Sequence, residues 1–560
     1  MKSLAKGVAC ALTAASLIAF ASCGGKKDTA ASGAGAKPEA TASKSGSNVL
    51  NVMVEVEVES LDPQQATDGT SFEVIADFTD GLKQMNADGS TANALCESET
   101  ISPDGLTYTF KLRDAKWSNG DPVTADDFVF GWQRAVDPKI ASEYSYMLSD
   151  VGQVKNAAKI IAGELPVEQL GIKAVDAKTL EVTLESPVSF FEKILYFPTF
   201  YPVNRAFCEK CGDSYATSAD TVLSNGAFIL TDYQPAALSF TLKKNPDYWD
   251  ASRIKLDGLN YQVLKDSQQA LMSYQNGDLD LILVAGDQVD QVKDDPEFRT
   301  VGAGYLWYIS PMMKNVPALA NLNLRYALTY ALNRKSIVED VVKDGSLATY
   351  TAVPSQYAFS DEGKDFTPKQ DEFPEYCADD AAKAKSYYEK AKAELGKNSF
   401  KFEMIVDDTV VQQNVAAVIK EQLESTLPGL TIDLRVEPKK QRVQDMQDGT
   451  FELGLTRWGP DYADPMTYLG MWVTNNPNNY GFWSNKKFDS TIEKCVTGEF
   501  AQKPAERWAA LKDAEKYVMQ DAVIFPIYQQ SNALMVKSAI KGVEYHAVAL
   551  NRVFKNATKN

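Results

Sequence analysis

The sequence predicts a mixed α/β protein whose folded body is divided into two or more lobes. The apolar residues change period repeatedly along the chain, from the alternation of strands to the wider spacing of helices. Roughly 510 residues follow a polar N-terminal stretch, which is too many for one hydrophobic core. The apolar fraction of 44% and the aromatic fraction of 10% are sufficient for well-packed cores.

The first 23 residues have the pattern of an export signal. Lys2 and Lys6 precede a run of apolar and small residues from Gly7 to Ala21, which is too short to span a bilayer about 30 Å thick as a helix. The run ends in Phe20-Ala21-Ser22-Cys23-Gly24, which resembles the lipobox of bacterial lipoproteins, although Phe20 stands where leucine is usual. We therefore expect Cys23 to be lipidated, and the alternative is an ordinary cleaved signal with an incidental cysteine.

Residues 24 to 48 are rich in Gly, Ala, Ser and Lys and contain no large apolar side chain. Such a segment cannot bury enough surface to fold, so it is interpreted as a flexible tether. After residue 48 no apolar run approaches the roughly 18 residues of a membrane span. The sequence thus predicts an exported, soluble body that a lipid holds at the membrane, in the periplasm or at the cell surface.

Strands and helices alternate along this body. Alternating or short apolar runs predict strands at Val49 to Val56, Leu106 to Leu112, Thr179 to Leu184, Leu238 to Leu242, Leu279 to Val284, Phe400 to Val406 and Leu430 to Val436. Helical spacing predicts helices around Leu324 to Leu332, Asp379 to Leu395 and Pro504 to Met519, with Trp508, Leu511 and Val518 facing inward in the last. Asp104-Gly105 is a hairpin signal, and Thr124 to Asp127 is typical of a helix N-cap.

Five cysteines follow Cys23, namely Cys96, Cys208, Cys211, Cys377 and Cys495. An odd number outside the cytoplasm leaves at least one unpaired, and the connectivity does not follow from the sequence. Cys208 and Cys211 have the spacing of a redox or metal motif, but no second pair accompanies them. Packing or a local disulfide is therefore preferred over redox chemistry or zinc binding.

Charge and histidine content exclude several function classes. The net charge of −18 leaves no basic stripe for nucleic acid, and its simplest role is solubility. His546 is the single histidine, so histidine-rich zinc sites are impossible, and no G-x-S-x-G nucleophile motif is present. Carboxylate pairs among 75 acidic residues are too common for any one pair to be informative, so composition does not exclude a glycosidase. No enzyme, metal or cofactor is predicted.

Several stretches of the sequence resemble a single protein family, and they occur in the same order as in that family. The most specific runs from Ser102-Pro-Asp-Gly-Leu-Thr-Tyr-Thr-Phe-Lys-Leu-Arg113 to Lys116-Trp-Ser-Asn-Gly-Asp-Pro-Val-Thr-Ala-Asp-Asp-Phe128. The others are Ser60-Leu-Asp-Pro63, Asp80-Gly-Leu82, Ser224-Asn-Gly-Ala-Phe228, Asn245-Pro-Asp-Tyr-Trp249, Arg325 to Arg334, Trp458-Gly-Pro-Asp-Tyr-Ala-Asp-Pro465 and Phe525-Pro-Ile-Tyr528. Together they resemble the extracytoplasmic solute-binding proteins of family 5, the oligopeptide and dipeptide receptors of ABC importers.

The resemblance implies a two-lobed fold of the periplasmic-binding-protein type II class, with an extra third domain and a ligand cleft between the lobes. Residues 49–82, 215–310 and 525–560 would form lobe I, residues 83–214 the extra domain on the same side, and residues 311–524 lobe II. Hinge closure of the two lobes around the ligand would accompany binding.

The resemblance also implies a peptide site. Asp461 matches an aspartate that pairs with the free α-amino group of the bound peptide, and Tyr144 matches a tyrosine that supports this amine site. From the sequence alone Asp461 would instead cap a turn before Asp464-Pro465. An ammonium with a pKa near 8 stays charged beside a buried carboxylate, and charge-assisted hydrogen bonds are strong.

Further residues would complete the cleft by the same resemblance. Arg457, Trp458 and Gly459 would offer main-chain groups to an extended peptide. Thr67, Asp68 and Gly69 would approach the peptide from the other lobe, and Tyr528 would line the cleft. Each of the aromatic residues has simple core packing as its alternative.

This chain departs from the family pattern near the expected site. Leu455 stands where the best-known oligopeptide receptors have an arginine, and Lys439 stands where they have a pocket tryptophan. Gly459 replaces a cysteine present in some members. Peptide length, side-chain preference and the binding of the peptide C-terminus are therefore left open.

The expected function is a monomeric, lipid-anchored receptor that delivers short peptides to ABC permease subunits. One alternative is a receptor of the same fold for another small solute, although a single histidine argues against nickel. Another is a surface lipoprotein that acts as an adhesin or host-interaction protein. An anchored hydrolase is a third class and would show turnover rather than stoichiometric binding.

Overall fold

A computed structural model describes residues 48–86, 90–188, 190–360 and 362–560. The predicted signal, the tether up to Ser47 and the lipidation site Cys23 lie outside the described residues. The strands are β1 Val49–Val54, β2 Lys83–Met85, β3 Thr91–Asn93, β4 Cys96–Ile101, β5 Thr107–Leu112, β6 Ile172–Asp176, β7 Thr179–Thr183, β8 Phe228–Leu230, β9 Ser239–Lys244, β10 Gly258–Val263, β11 Leu281–Val284, β12 Phe298–Pro311, β13 Leu347–Ala348, β14 Phe400–Asp407, β15 Leu430–Glu437, β16 Leu453–Trp458, β17 Phe525–Val536, β18 Ile540–Lys541, β19 Glu544–Tyr545, β20 Arg552–Val553 and β21 Thr558–Lys559.

Helices lie between these strands. The α-helices are α1 Gly69–Phe78, α2 Ala125–Val136, α3 Ala157–Ile161, α4 Arg205–Cys211, α5 Ser267–Asn276, α6 Asp287–Val292, α7 Leu322–Tyr330, α8 Arg334–Ser336, α9 Ala381–Leu395, α10 Val410–Thr426, α11 Lys439–Asp448, α12 Met466–Leu469, α13 Lys486–Val496 and α14 Pro504–Gln520. Met147–Val151 and Ile337–Val342 are single-turn π-helices. Short 3₁₀ turns are found at Glu143–Ser145, Val167–Gln169, Phe191–Ile194, Pro198–Phe200, Gly212–Ser214, Ala219–Thr221 and Gly470–Trp472.

An eleven-stranded mixed sheet runs through the molecule in the order β15-β14-β16-β12-β17-β11-β1-β10-β9-β8, with β13 paired to β17 beside this path. β14 runs parallel to both β15 and β16, and β1 runs parallel to β10 and β11. The two parallel groups are joined by β12 and β17, which are antiparallel to each other. The central pair therefore connects two α/β halves.

The β12–β17 pair changes register in its middle. Phe298 to Gly302 pair with the end of β17, and Leu306 to Ile309 pair with its beginning. The intervening Gly304 has φ +72°, a conformation that side chains with a Cβ rarely adopt. The pairs made by Phe298 to Gly302 thus belong to one half of the sheet, and the pairs made by Leu306 to Ile309 belong to the other half.

A separate four-stranded antiparallel sheet has the order β4-β5-β7-β6. The predicted hairpin at Asp104-Gly105 joins β4 and β5, and Gly105 supplies the positive φ of +70° that its turn requires. α2 packs nearby and begins with a reciprocal capping box of Thr124 and Asp127, as predicted.

Buried apolar side chains form two large, separate clusters. One is built around Leu50, Phe110 and Trp132, and the other around Phe402 and Ile419. The first joins β1 and β10 to the four-stranded sheet, and the second covers the β14–β16 half. A chain of this length is too long for one hydrophobic core, so its buried apolar side chains are divided between clusters.

The secondary-structure predictions are confirmed. Each predicted strand is present with ends that differ by no more than two residues, and the predicted helices correspond to α7, α9 and α14. In α14, Leu511 and Val518 are fully buried and Trp508 is half-buried. Among the residues with described coordinates, no helix is long and apolar enough to cross a membrane.

The five cysteines of the described body are all free thiols. The local disulfide considered for Cys208 and Cys211 is thus not formed, and both residues lie in helix α4. Burial raises the pKa of the Cys208 thiol to about 11, whereas redox-active cysteines have lowered values. The described acids, cysteines and histidine form no cluster suited to a metal ion.

Candidate functional site

A cavity of about 840 Å³ opens at the C-terminal end of β16. Its walls include residues from before α1, from the segment around Tyr144, from β16 and the loop after it, and from α11. Both polar and apolar groups line it. Among the predicted site residues, the cavity lining contains Thr67, Asp68, Gly69, Tyr144, Arg457, Trp458, Gly459 and Asp461.

Asp461 is buried, with 6% of its surface exposed, and has no cation within 4.0 Å in the described part of the chain. Asp68 shares these two properties, but its carboxylate caps α1 through Oδ1. The Asp461 carboxylate accepts hydrogen bonds from Tyr146 Oη at 2.8 Å and from Tyr144 Oη at 3.3 Å. Burial raises the pKa of Asp461 to about 7, and the two hydroxyls oppose this rise. A buried carboxylate that lacks a counter-ion favours a cationic ligand.

The Asp461 loop is held by an ion pair behind it. Arg507 of α14 donates to both oxygens of Asp464, at 2.7 and 2.8 Å, and both residues are buried. Asp464 also accepts from the Met466 backbone N–H at the start of α12. Thr467 Oγ1 in the first turn of α12 accepts from the Asp461 backbone N–H at 3.0 Å. The turn-capping role considered for Asp461 thus falls to Asp464, which leaves the Asp461 side chain facing the cavity.

Tyr144 and Tyr146 are positioned by irregular helix. Tyr144 lies in the 3₁₀ turn Glu143–Ser145, and Tyr146 precedes the π-helix Met147–Val151. Tyr144 packs edge-on against Phe72 of α1, with ring centroids 5.3 Å apart. Short π-helices are frequent at functional sites. Here the 3₁₀ turn and the start of the π-helix together bring two hydroxyls to one carboxylate.

One edge of β16 is free beside the cavity. On one side β16 pairs with β12 along its whole length, from Leu453–Pro311 to Trp458–Leu306. On the other side, within the described chain, β14 pairs with β16 only through Met404–Leu453 and Ile405–Gly454. The stretch from Leu455 to Trp458 therefore has no strand partner on this side, although the Trp458 carbonyl accepts from Tyr468 Oη at 3.4 Å. An extended chain can pair with such an edge as an added strand.

Thr67 to Gly69 reach the cavity at the start of α1. Asp68 caps the helix by accepting from the backbone N–H groups of Thr70 and Ser71, at 3.0 and 3.1 Å, and its Oδ2 has no partner. The Tyr305 ring lies between this helix start and Gly459, so close that a Cβ at Gly459 would collide with it. The two walls of the cavity, formed by the start of α1 and by the chain at Gly459, thus approach each other around Tyr305.

Arg457 and Tyr528 occupy different environments. The Arg457 guanidinium lies 4.4 Å from the Tyr305 ring centre and donates to Gln530 Oε1 at 2.8 Å, and the residue lines the cavity. Tyr528 is 1% exposed, stacks on Trp307 and accepts from Gln412 Nε2 at 3.1 Å. The structure does not place Tyr528 in the lining of this cavity.

Sequence reasoning missed Tyr146 and Tyr305. Tyr146 belongs to no motif, and only its spacing of two from Tyr144 hints at a shared environment. Tyr305 follows Gly302 and Gly304 in a strand, a pattern that indicates a bulge and a close approach of another group. This glycine pattern is the sequence signal by which Tyr305 could have been found.

Comparisons with known proteins identify the family and the fold. The profile of the bacterial extracellular solute-binding proteins, family 5 (middle region), matches residues 91–480. A dipeptide-binding protein of Lactococcus lactis subsp. cremoris is 33% identical over 525 residues, which cover 91% of this chain and 94% of the relative.

Solved structures share the fold. An oligopeptide ABC transporter substrate-binding domain from Bacillus anthracis is 35% identical with a TM-score of 0.84, covering 92% of this chain and 99% of that one. OppA of Listeria monocytogenes bound to peptide is 34% identical with a TM-score of 0.83, covering 92% and 100%. The predicted two-lobed mixed α/β fold and the predicted family are therefore confirmed: the chain belongs to the bacterial extracellular solute-binding proteins of family 5.

Proposed function

We propose that this protein binds short peptides through their free N-terminal amine and their backbone. The observation that carries the proposal is Asp461, a buried carboxylate that has no counter-ion among the described residues and faces the cavity beside the free edge of β16. A peptide ammonium would supply the missing positive charge, and Tyr144 and Tyr146 would hold the carboxylate in place. Backbone pairing with Arg457 to Gly459 would be independent of peptide sequence.

The remaining residues would complete the enclosure of the ligand. Thr67 to Gly69 would close on the peptide from lobe I, comprising residues 49–82, 215–310 and 525–560, while β16 belongs to lobe II, residues 311–524. β12 and β17 would act as the hinge because they connect the two halves of the large sheet. The receptor, anchored through lipid on Cys23, would deliver its peptide to ABC permease subunits.

Calorimetry with one peptide in two forms tests the amine contact. A mixture of tripeptides first identifies a retained sequence, and that peptide is then titrated with a free and with an acetylated N-terminus. We expect acetylation to weaken binding by on the order of 30-fold or more, because the neutral amide leaves Asp461 buried and unpaired. Equal affinity for both forms contradicts the proposal.

Peptide affinity should also depend on pH. In the free protein the pKa of Asp461 is about 7, and a bound ammonium favours the carboxylate, so binding below pH 7 releases a proton. Affinity should then fall by up to about tenfold for each pH unit below 7, and should fall again above about pH 8 as the peptide amine loses its proton. Titrations in buffers of different ionisation enthalpy measure both the affinity and the released protons. Asp461→Asn should abolish the acidic limb, and a flat profile between about pH 5 and 7 would rule out this linkage.

A further inference from the structure

A second, smaller cavity of about 110 Å³ adjoins the main cavity. We call it the side chamber. The two cavities share six lining residues, namely Asp68, Gly69, Tyr305, Lys439, Arg457 and Asn551. Glu73, Tyr545 and Arg552 are among the residues that line the side chamber only. A space of this size admits the end of one long side chain or a few water molecules.

Two polar atoms of the side-chamber lining have no hydrogen-bond partner among the described residues. Asp68 is 4% exposed, and its Oδ1 caps α1 while its Oδ2 accepts no hydrogen bond. The Tyr545 hydroxyl is also buried and likewise has no partner in this part of the chain. Buried polar atoms in folded proteins are nearly always hydrogen-bonded, so both atoms suit a polar ligand group that enters the chamber.

The antiparallel pair of β19 and β20 brings Tyr545 to the start of α1. Tyr545 in β19 lies opposite Arg552 in β20. Arg552 donates to both carboxylate oxygens of Glu73, in the second turn of α1, at 2.9 and 2.6 Å, and both side chains are buried. Because Asp68 caps the same helix, this ion pair holds the two unpaired atoms at one chamber.

The charges around the side chamber favour a neutral ligand group. A ligand cation would meet the guanidinium of half-buried Arg457, which lies on the Tyr305 ring. A ligand carboxylate would instead face the unpaired Asp68 Oδ2. A neutral group that both donates and accepts avoids either repulsion. With His546 neutral, the formal charges of the lining cancel, since it contains three acidic and three basic residues, namely Glu55, Asp68, Glu73, Lys439, Arg457 and Arg552.

We infer that the side chamber takes the carboxamide side chain of a glutamine or asparagine of the bound peptide. The amide nitrogen donates to Asp68 Oδ2, and the amide oxygen accepts from Tyr545 Oη. This inference rests on the proposed function, because a peptide held at Asp461 along β16 passes Arg457, whose side chain lines both cavities. Successive side chains of an extended chain point to opposite faces, so the chamber selects at one peptide position and not at its neighbours.

The test uses alanine-based tetrapeptides in which each position in turn is glutamine, glutamate, lysine or methionine. These side chains are similar in length and differ in the hydrogen-bonding groups and charge that they offer. The purified protein is incubated with the equimolar mixture, and the retained peptides are quantified by mass spectrometry. The same mixture with acetylated N-termini reports separately on the amine contact.

Asp68→Asn is compared with the wild type, because asparagine caps a helix as well as aspartate does but replaces Oδ2 with an amide donor. Asp380→Asn is the matched control, since Asp380 caps α9 through two backbone N–H groups in the same way and lines neither cavity. Tyr545→Phe removes only the hydroxyl.

We expect the wild type and Asp380→Asn to retain glutamine at least about tenfold better than glutamate, lysine or methionine at one position. In Asp68→Asn, glutamate should come within about threefold of glutamine there, because its carboxylate accepts from the new amide. Tyr545→Phe should reduce the preference for glutamine over methionine at least about threefold.

Equal retention of glutamine and methionine at every position assigns the chamber to water and overturns the inference. A wild-type preference for lysine or glutamate overturns it as well, and so does an unchanged glutamine preference in Asp68→Asn or Tyr545→Phe. Equal retention of free and acetylated peptides, or retention of none, contradicts the proposed function itself.

Discussion

Replacing Asp461 with alanine is expected to weaken the binding of a free tripeptide by about 2 to 5 kcal/mol, the range for removing one partner of a desolvated charge pair. The carboxylate is buried, has no counter-ion in the described chain, and receives hydrogen bonds only from Tyr144 and Tyr146 among the side chains there. Among the described residues Asp68 also lines the cavity without an ion pair, but its Oδ1 caps α1, so an ammonium bound at Asp461 would lose its charge partner. Calorimetry at pH 7.5 with the free peptide measures the loss, which at the upper end exceeds about a thousandfold.

Two controls separate a lost contact from a lost fold. Glu143→Ala removes an exposed carboxylate of the same cavity and should change affinity little, because solvent screens it. The Tm of ligand-free Asp461→Ala should not fall at pH 8. The folded-state pKa of Asp461 is raised to about 7, so its protonated form stabilises the fold at low pH and this contribution is lost as the pH rises through 7. A tripeptide affinity within about threefold of wild type would remove Asp461 from the site.

Replacing Arg507 with methionine is expected to lower the free energy of unfolding by about 3 to 5 kcal/mol, because the Asp464 carboxylate remains buried without its partner. Arg507 is 6% exposed and Asp464 is 8% exposed, and the pair is bidentate. Denaturation with urea measures the change. Peptide affinity should fall as well, because Asp464 anchors the loop that presents Asp461.

A surface ion pair provides the comparison for Arg507. Lys173 and Glu181 lie 2.7 Å apart, and the Lys173 side chain is 64% exposed. Lys173→Met should therefore cost no more than about 1 kcal/mol. If Arg507→Met lowered the free energy of unfolding by no more than Lys173→Met does, the Arg507–Asp464 ion pair would not be holding the loop.

Local sequence patterns were sufficient for the elements and for the family. The alternation of Phe400 to Val406 and of Leu430 to Val436 predicts β14 and β15 because side chains of a strand alternate between two faces. The Trp458-Gly-Pro-Asp-Tyr stretch identifies Asp461 through resemblance. Local turn chemistry likewise places the capping box of α2.

Contacts between distant segments could not be read in this way. Tyr146 is 315 residues from Asp461 in the chain, yet its hydroxyl lies 2.8 Å from the carboxylate. The Arg507–Asp464 pair joins α14 to the loop after β16. Tyr528 matches the family by resemblance, but its position in β17 turns it into the core.

The sequence by itself determined the α/β class, the strands and helices and the family, because these depend on periodicity and short motifs. Asp461 was singled out only by the resemblance to that family. Tertiary structure decided that Asp461 is buried with no cation within 4.0 Å among the described residues, and that in the same part of the chain β16 has no pairing with β14 beyond Gly454. Burial and charge pairing depend on contacts between segments that are far apart in the sequence. These contacts form only when the chain folds.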